Sequence, residues 1–315
     1  MIVGFSKQHI QKPLYFHYDP DALAEVKHPT QVNFYLEDAE NCFIWSRNKP
    51  ICDVPKMGIG NKPIDGSNYL FKPEEKEQFI AEEPHSLKYF HKWLGSTEFI
   101  NNKPRFVLWL GDASPAEINS MPKCKERVLN VREYRLASTS APTRKLADQP
   151  TRFHVENMPS GSSIIVPKTS SGRRTYIPMG FVGPTTFCGD TLRMIPNATI
   201  YHYGILQSKL HNSWMRAVTG RLKADYSYSA EIVYNNFIWP NPSAEQKQAI
   251  EGAAQAVLDA REKYPDSTLA DMYDPDNDFL FPELTAAHAA LDRAVEAAYG
   301  VNFNGNEEKI GAHPE

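Results

Sequence analysis

The sequence predicts an α+β protein: a mixed, β-rich body over residues 1–238 that also carries long basic helices, then a small helical segment over residues 239–315. Three observations lead there. Short aromatic and β-branched runs bounded by Pro, Gly, Asn and Asp recur from residue 14 to residue 195, which is the pattern of strands and turns. Two stretches in the middle and two near the end instead repeat apolar residues at helical spacing. After Trp239-Pro-Asn-Pro the composition turns Ala-rich, and the two prolines close one element before another opens.

The elements follow in order. LYFHY (14–18), VNFYL (32–36) and CFIWS (42–46) read as strands. A helix opens at KPEEKEQFI, with Pro73 in its first turn and acids at its positive end. RFVLWL (105–110) is a buried strand by its continuous apolar run. From Pro115 to about Leu146 the pattern is helical and basic: Val128, Val131, Tyr134 and Arg135 recur at helical spacing, with Lys125, Arg127 and Arg132 on the other side. RFHVEN, SIIVPK, RTYIPMGF and TLRMI resume as strands between GSS, SSGRR and GPTT turns.

One helix is then expected from Tyr203 to Val218. Leu206, Leu210, Trp214 and Val218 form its apolar stripe, and Lys209, Asn212 and Arg216 its polar face. Ser243 and Gln246 have capping-box spacing for a helix over 244–262, and a last helix over 283–299 stops at Gly300. Leu284, Leu291, Val295 and Ala298 supply its core face, and His288 on that face reads as a core histidine. No internal repeat is visible, which removes solenoid folds.

The chain has 315 residues, 41% hydrophobic and 23% charged, enough for one large core or two smaller ones. A mean hydropathy of -0.49 and no long uncharged apolar run argue against a membrane span. MIVGFSKQHIQKP lacks the basic and apolar regions of a signal peptide, and a strand beginning directly after Met is expected of an excised domain. Cys42, Cys52, Cys124 and Cys188 lie far apart, so free thiols in a reducing cytoplasm are expected, with no disulfide framework and no metal site.

Charge is distributed unevenly. Residues 101–225 hold 18 Lys and Arg against 8 Asp and Glu; residues 226–315 hold 5 against 16, and residues 1–100 hold 11 against 14. A basic middle suits a polyanion-binding surface, unless it pairs with the acidic tail inside the fold. No motif for chemistry accompanies it. MGIGNKP and PSGSS supply neither a dinucleotide nor a P-loop glycine pattern. An amino-methyltransferase needs a glycine-rich S-adenosylmethionine loop and an Asn/Asp-Pro-Pro-aromatic tetrapeptide, and WPNPS lacks the adjacent prolines and the aromatic. No catalytic residue is assigned.

Two runs are candidates for contact with a nucleic acid. In the first, Lys168 is followed by Ser170, Ser171, Arg173 and Arg174, where a small hydroxyl-rich turn brings backbone N–H groups and two guanidinium forks close to phosphate or guanine. An ordinary hairpin tip with solvated arginines is the alternative. The second covers Lys209, His211, Asn212 and Arg216 on the expected helix, then Arg221 and Lys223 beyond Gly220. Two apart in an extended segment, Arg221 and Lys223 point to one side and suit successive phosphates. Tyr226 and Tyr228 stack or pack; Asn235 and Asn236 contact adenine or cap a turn.

Seven strings in order carry a resemblance: PKMGIGNKPIDGSNYLF (55–71), EEPHSLKYFHKWLGSTEFINNKPRFVLWL (82–110), SSGRRTYIPMGF (170–181), SKLHNSWMRAVTGRLKADYSYS (208–229), VYNNFIWP (233–240), AVLDAREKYPDSTLADMYDP (256–275) and LTAAHAALDRAVEAAYG (284–300). They resemble the MmeI-like restriction–modification enzymes and related bacterial DNA methyltransferases. The resemblance implies a DNA target-recognition domain over residues 1–238 and a helical C-terminal domain over 239–315. It further implies double-stranded DNA as partner, adenine N6 as the methyl acceptor, and a catalytic domain with its S-adenosylmethionine site outside this chain, in cis or in trans. The regions around 169–176 and 201–223 are carried over as DNA-facing, which adds Tyr201 and His202 to the candidates. A free-standing specificity or anti-restriction protein that pairs with a separate methyltransferase is the alternative reading. An enzyme with a site visible only in the fold is a more distant one.

Overall fold

The computed structural model describes residues 14–16, 25–28, 43–158, 160–306 and 309–310. They fall into two units, Met1–Trp45 and Ser46–Glu315. In the first, β1 (Leu14–Phe16) pairs antiparallel with β2 (Glu25–Lys27). The expected strand VNFYL, the end of LYFHY and Cys42 lie outside the described residues. Residues 43–46 are irregular where a strand was expected, and the Phe43 and Trp45 side chains are 63% and 74% exposed.

The second unit begins with β3 (Gly58–Ile59), β4 (Leu70–Phe71) and α1 (Pro73–Glu82). Glu75 closes the α1 N-terminus by accepting from the Lys72 backbone N–H at 2.8 Å. Next come β5 (Phe90–Leu94), α2 (Ser96–Ile100) and β6 (Arg105–Leu108). The apolar run expected at 105–110 is this β6, with Val107 and Leu108 fully buried.

The basic helical stretch is three helices, α3 (Pro115–Ser120), α4 (Pro122–Leu136) and α5 (Ala141–Lys145). A proline stands in the first turn of each, where its ring fits and its missing N–H costs nothing. Arg135, on the face of α4 that reads as apolar by spacing, is wholly buried. Its guanidinium donates to five carbonyls: Nε to Ile64 at 2.9 Å, Nη1 to Leu146 and Gln149 at 2.8 and 2.9 Å, and Nη2 to Pro63 and Arg152 at 2.8 and 2.7 Å. One side chain thus knots α4 to Pro63–Ile64 and to the stretch from Leu146 to Arg152.

Strands β7 (Ser163–Pro167), β8 (Thr169–Ser170), β9 (Gly180–Val182), β10 (Thr186–Cys188) and β11 (Leu192–Pro196) follow. All five β7 residues are buried, as befits the interior strand of an antiparallel sheet ordered β3-β11-β7-β9. A second sheet runs β10-β5-β6-β4, with β10 parallel to β5. RFHVEN, expected as a strand, holds only the bridge of Val155 to Lys62. RTYIPMGF enters a strand only at Gly180, because side-chain amides take the ladder's place around Ile177. Asn212 Oδ1 accepts from the Ile177 N–H at 2.9 Å, and Gln207 Nε2 donates to the Ile177 carbonyl at 3.0 Å.

The single helix expected over 203–218 is two, α6 (Ile200–Gln207) and α7 (Lys209–Val218). Ser208 breaks it with an extended ψ of 156°, and its hydroxyl caps α7 by accepting from the His211 N–H at 3.3 Å. Then β12 (Gly220–Leu222) and β13 (Asp225–Ser227) join β8 in a three-stranded sheet.

After a π-turn at Ala230–Tyr234 the chain is helical: α8 (Ala244–Glu262), α9 (Leu269–Met272), a 3-10 turn at Pro275–Leu280, and α10 (Pro282–Ala298). The capping box at Ser243 and Gln246 has both its bonds, and Gly300 takes φ +72 after α10. One core joins these helices to α6, α7 and the β7 sheet through Ile164, Tyr203, Leu206, Ile250, Leu291 and Val295. A second core, built on Tyr69, Trp93, Leu108, Trp109, Met121 and Val131, lies under α4.

Candidate nucleic-acid interface

The hairpin β12–β13 turns on two residues, Lys223 and Ala224, with φ +57 at Lys223. A positive φ at the first turn position matches the right-handed twist of the strands it joins. Arg221 stands opposite Tyr226 and stacks on it, its guanidinium carbon 4.5 Å from the ring centroid and Nη2 3.3 Å from the hydroxyl. Tyr226 is 6% exposed, so the arginine lies on a ring anchored in the core. Leu222, opposite Asp225 on the other face, is 66% exposed.

The first candidate run packs against this hairpin. Ser170 pairs with Tyr226 across β8 and β13, and a Cβ added to Gly172 would lie 2.4 Å from the Ala224 carbonyl oxygen. Glycine is therefore what lets the SSGRR turn seat on the hairpin tip. Lys168, Arg173, Arg221 and Lys223 are exposed on this unit. The two motifs, about 50 residues apart in sequence, meet as one basic feature.

Arg173 reaches back to the acidic turn before α10, 2.5 Å from Asp276 and 3.6 Å from Asp274, and those carboxylates raise its basicity. Ser171 Oγ accepts from the Arg173 N–H at 3.3 Å. Arg174 is half-buried, and desolvation lowers its pKa. Arg216 does not project from α7: its Nη2 donates to the Arg174 and Thr175 carbonyls at 2.8 and 2.5 Å. It shapes the loop from behind.

Several expected contacts are placed elsewhere. His211 and Asn212 are wholly buried, so the polar face expected for α7 is turned inward. The His211 Nε2 meets the Tyr228 hydroxyl at 2.8 Å, and burial depresses its pKa to about 3. Asn212 is spent on Ile177 and on the Ser208 carbonyl, 2.8 Å away. Ser170 is also buried. Lys209 Nζ donates to the Gly305 carbonyl at 3.0 Å. Tyr201 and His202 lie half-buried in the first turn of α6, where His202 Nδ1 closes the cap on Thr199 and Tyr201 faces Lys247. Lys223 is a turn residue and Arg221 a strand residue, so the pair does not share an extended run. Asn235 and Asn236 are buried in a lock with Arg47: Asn235 Nδ2 donates to its carbonyl at 2.7 Å, and Arg47 Nε donates to Asn236 Oδ1 at 2.9 Å.

Lys125, Arg132, Arg144 and Lys145 form a further exposed basic group on α4 and α5. Lys123 is paired with Glu82 at 2.8 Å, and Arg127 lies over Phe71 and Phe79. The glycine-bearing MGIG segment does not fit an S-adenosylmethionine loop. A Cβ at Gly60 would fall 2.1 Å from the Gly189 carbonyl oxygen, so the glycine serves contact between two backbone segments.

The family described as "MmeI, target recognition domain" matches residues 38–241, and "MmeI, C-terminal domain" matches residues 242–312. The chain belongs to the MmeI target-recognition family. A relative, DNA methyltransferase A of Bacillus subtilis (strain 168), is 42% identical over 282 residues, which are 89% of this chain and 32% of that protein. The solved structure of the type IIL restriction–modification enzyme MmeI, in complex with DNA, is 40% identical and superposes with a TM-score of 0.91 over 97% of this chain and 41% of its own. The chain thus spans about a third of the one relative and two fifths of the other. The two MmeI matches meet between Asn241 and Pro242, just ahead of the Ser243 cap of α8. The SSGRR turn and the β12–β13 hairpin both lie within the target-recognition match, and the acids that hold Arg173 lie within the C-terminal match.

Proposed function

We propose that this chain is the DNA-reading module of an S-adenosylmethionine-dependent DNA adenine-N6 methyltransferase of a restriction–modification system, and that it does no chemistry by itself. The observation that carries the reading is the likeness, over nearly the whole chain, to an enzyme solved on DNA. The cofactor site and the pocket for the flipped adenine belong, on this reading, to the part of such enzymes that this chain does not span. Residues 1–238 form the DNA-reading domain and residues 239–315 a helical C-terminal domain. The partner is duplex DNA together with a methyltransferase domain in cis or in trans, in a bacterial cytoplasm. Among the described residues no helix is long and apolar enough to cross a membrane.

On this reading Arg173, Arg221, Lys223 and Lys168 meet phosphates or base edges, the β12–β13 ribbon being narrow enough for the major groove. Arg216 holds the loop in shape through the Arg174 and Thr175 carbonyls, and His211 and Asn212 stay in the core. Methylome sequencing of cells expressing the complete parent protein tests it. Modified adenine at one short site is expected, with methylation reduced by Arg173→Ala and by Arg221→Ala. Full methylation in both variants places the DNA face elsewhere.

A further inference from the structure

The loop from Ser171 to Ile177 carries Arg173 and Arg174, yet much of what holds it comes from the far end of the chain. Asp292 on α10 is 4% exposed and accepts two hydrogen bonds. One comes from the Tyr176 hydroxyl at 2.7 Å and the other from the Lys209 backbone N–H, also at 2.7 Å. Lys209 is the first residue of α7, so a single carboxylate both caps that helix and ties the loop to it. The Tyr176 ring stacks on His288, one turn earlier on α10, with centroids 4.0 Å apart and planes at 19°. The Tyr273 hydroxyl fixes His288 in turn, 2.8 Å from Nε2.

α7 then passes its position to the loop backbone. Asn212 takes the Ile177 N–H, and Arg216 takes the Arg174 and Thr175 carbonyls. Every one of these bonds starts from a helix whose first N–H is held by Asp292. A buried carboxylate is a costly way to fill space, since a leucine packs there without desolvation. What the carboxylate adds is direction: two acceptor oxygens aimed at two elements.

We propose that Asp292 is a positioning residue for the DNA-facing loop. From the C-terminal helix it sets, through Tyr176 and the α7 N-terminus, the direction in which Arg173 and Arg174 face. The C-terminal helices then belong to the reading apparatus and are more than a platform for it. The inference rests on the reading of this loop as a DNA contact.

The test uses the full chain with Tyr176→Phe, which removes one hydroxyl and keeps the ring stack, and with Asp292→Asn. Each is made alone and in an Arg173→Ala/Arg174→Ala background. Amide hydrogen exchange is followed at 171–177, and binding is measured to a duplex of random sequence at low salt. Both variants are expected to speed exchange in the loop about ten-fold while residues 164–166 of β7 stay protected. DNA binding is expected to weaken about three- to ten-fold, and this loss disappears once both arginines are alanine. Unchanged loop exchange overturns the proposal, as does a loss of equal size with and without the arginines. If the loop loosens while neither these variants nor the arginine substitutions alter binding, the DNA-facing reading of the loop has failed, and the proposal falls with it. Should Asp292→Asn not fold, Tyr176→Phe alone decides among these outcomes.

Discussion

His211 and His288 are imidazoles held neutral inside the core, the first with its pKa near 3 and the second well below its ordinary value, both because burial disfavours the cation. Unfolding frees each to bind a proton below about pH 6.5, so the unfolded chain takes up more protons than the folded one. The stability they confer is whole above that pH and is lost as pH falls toward the folded value. His211 is expected to remove about 2 kcal/mol between pH 7 and pH 5, and His288 acts in the same direction. Urea unfolding of His211→Phe checks this: the substitution costs stability at pH 7 but flattens the slope between the two pH values. An unaltered slope would mean that His211 titrates normally in the fold. Arg135 makes a second prediction. Lysine at 135 keeps the charge but offers three donors where five carbonyls wait, so Arg135→Lys is expected to cost about 2–5 kcal/mol by the same measurement. His288 was legible as a core histidine from its place on the apolar face of α10, but the burial of His211 was not. Arg135 falls on the apolar side of α4 by spacing, but the carbonyls it serves lie as far off as Pro63 and Arg152.

The elements whose local signals agree with their surroundings were legible. α8 carries a complete capping box, α10 ends before a glycine in the left-handed conformation, and β7, like the Val107–Leu108 end of β6, is apolar because it is buried on both faces. The break between α6 and α7 was hidden, because the stripe of Leu206, Leu210 and Trp214 continues across Ser208 as if one helix ran through. The shortest strands, β3, β4 and β8, are too brief to show a period of two at all. Close packing of α6 on α8 supplies a prediction at this scale. A Cβ at Gly204 would stand 2.8 Å from Ile250 Cγ2 and 3.0 Å from the Ala254 Cβ. Gly204→Ala is therefore expected to lose about 1–3 kcal/mol despite alanine's better helix propensity, because neither neighbour can retreat from the core. A thermal melt at or above the unsubstituted chain's midpoint would contradict it.

At the scale of the whole molecule, charge segregation in the sequence survives folding only in part. Lys123, Arg173 and Arg216 are engaged by Glu82, by Asp274 and Asp276, and by loop carbonyls respectively. Lys168, Arg221 and Lys223, with the α4–α5 group, stay exposed, although Arg221 leans on Tyr226 and Arg144 donates to the Ser138 and Thr139 carbonyls. The sequence signalled that a basic surface exists, and its fine placement needed the fold: the two motifs that build it meet through Gly172 and Ala224, a contact that no local pattern announces. The central claim is that this surface grips duplex DNA. The most direct measurement is a binding titration of the chain on a duplex across a range of salt, with Arg221→Ala/Lys223→Ala alongside. About four phosphate contacts predict a log–log slope of about -4, made shallower by about two in the double variant. Salt-independent affinity, no binding at low salt, or an identical slope in the variant would contradict the account.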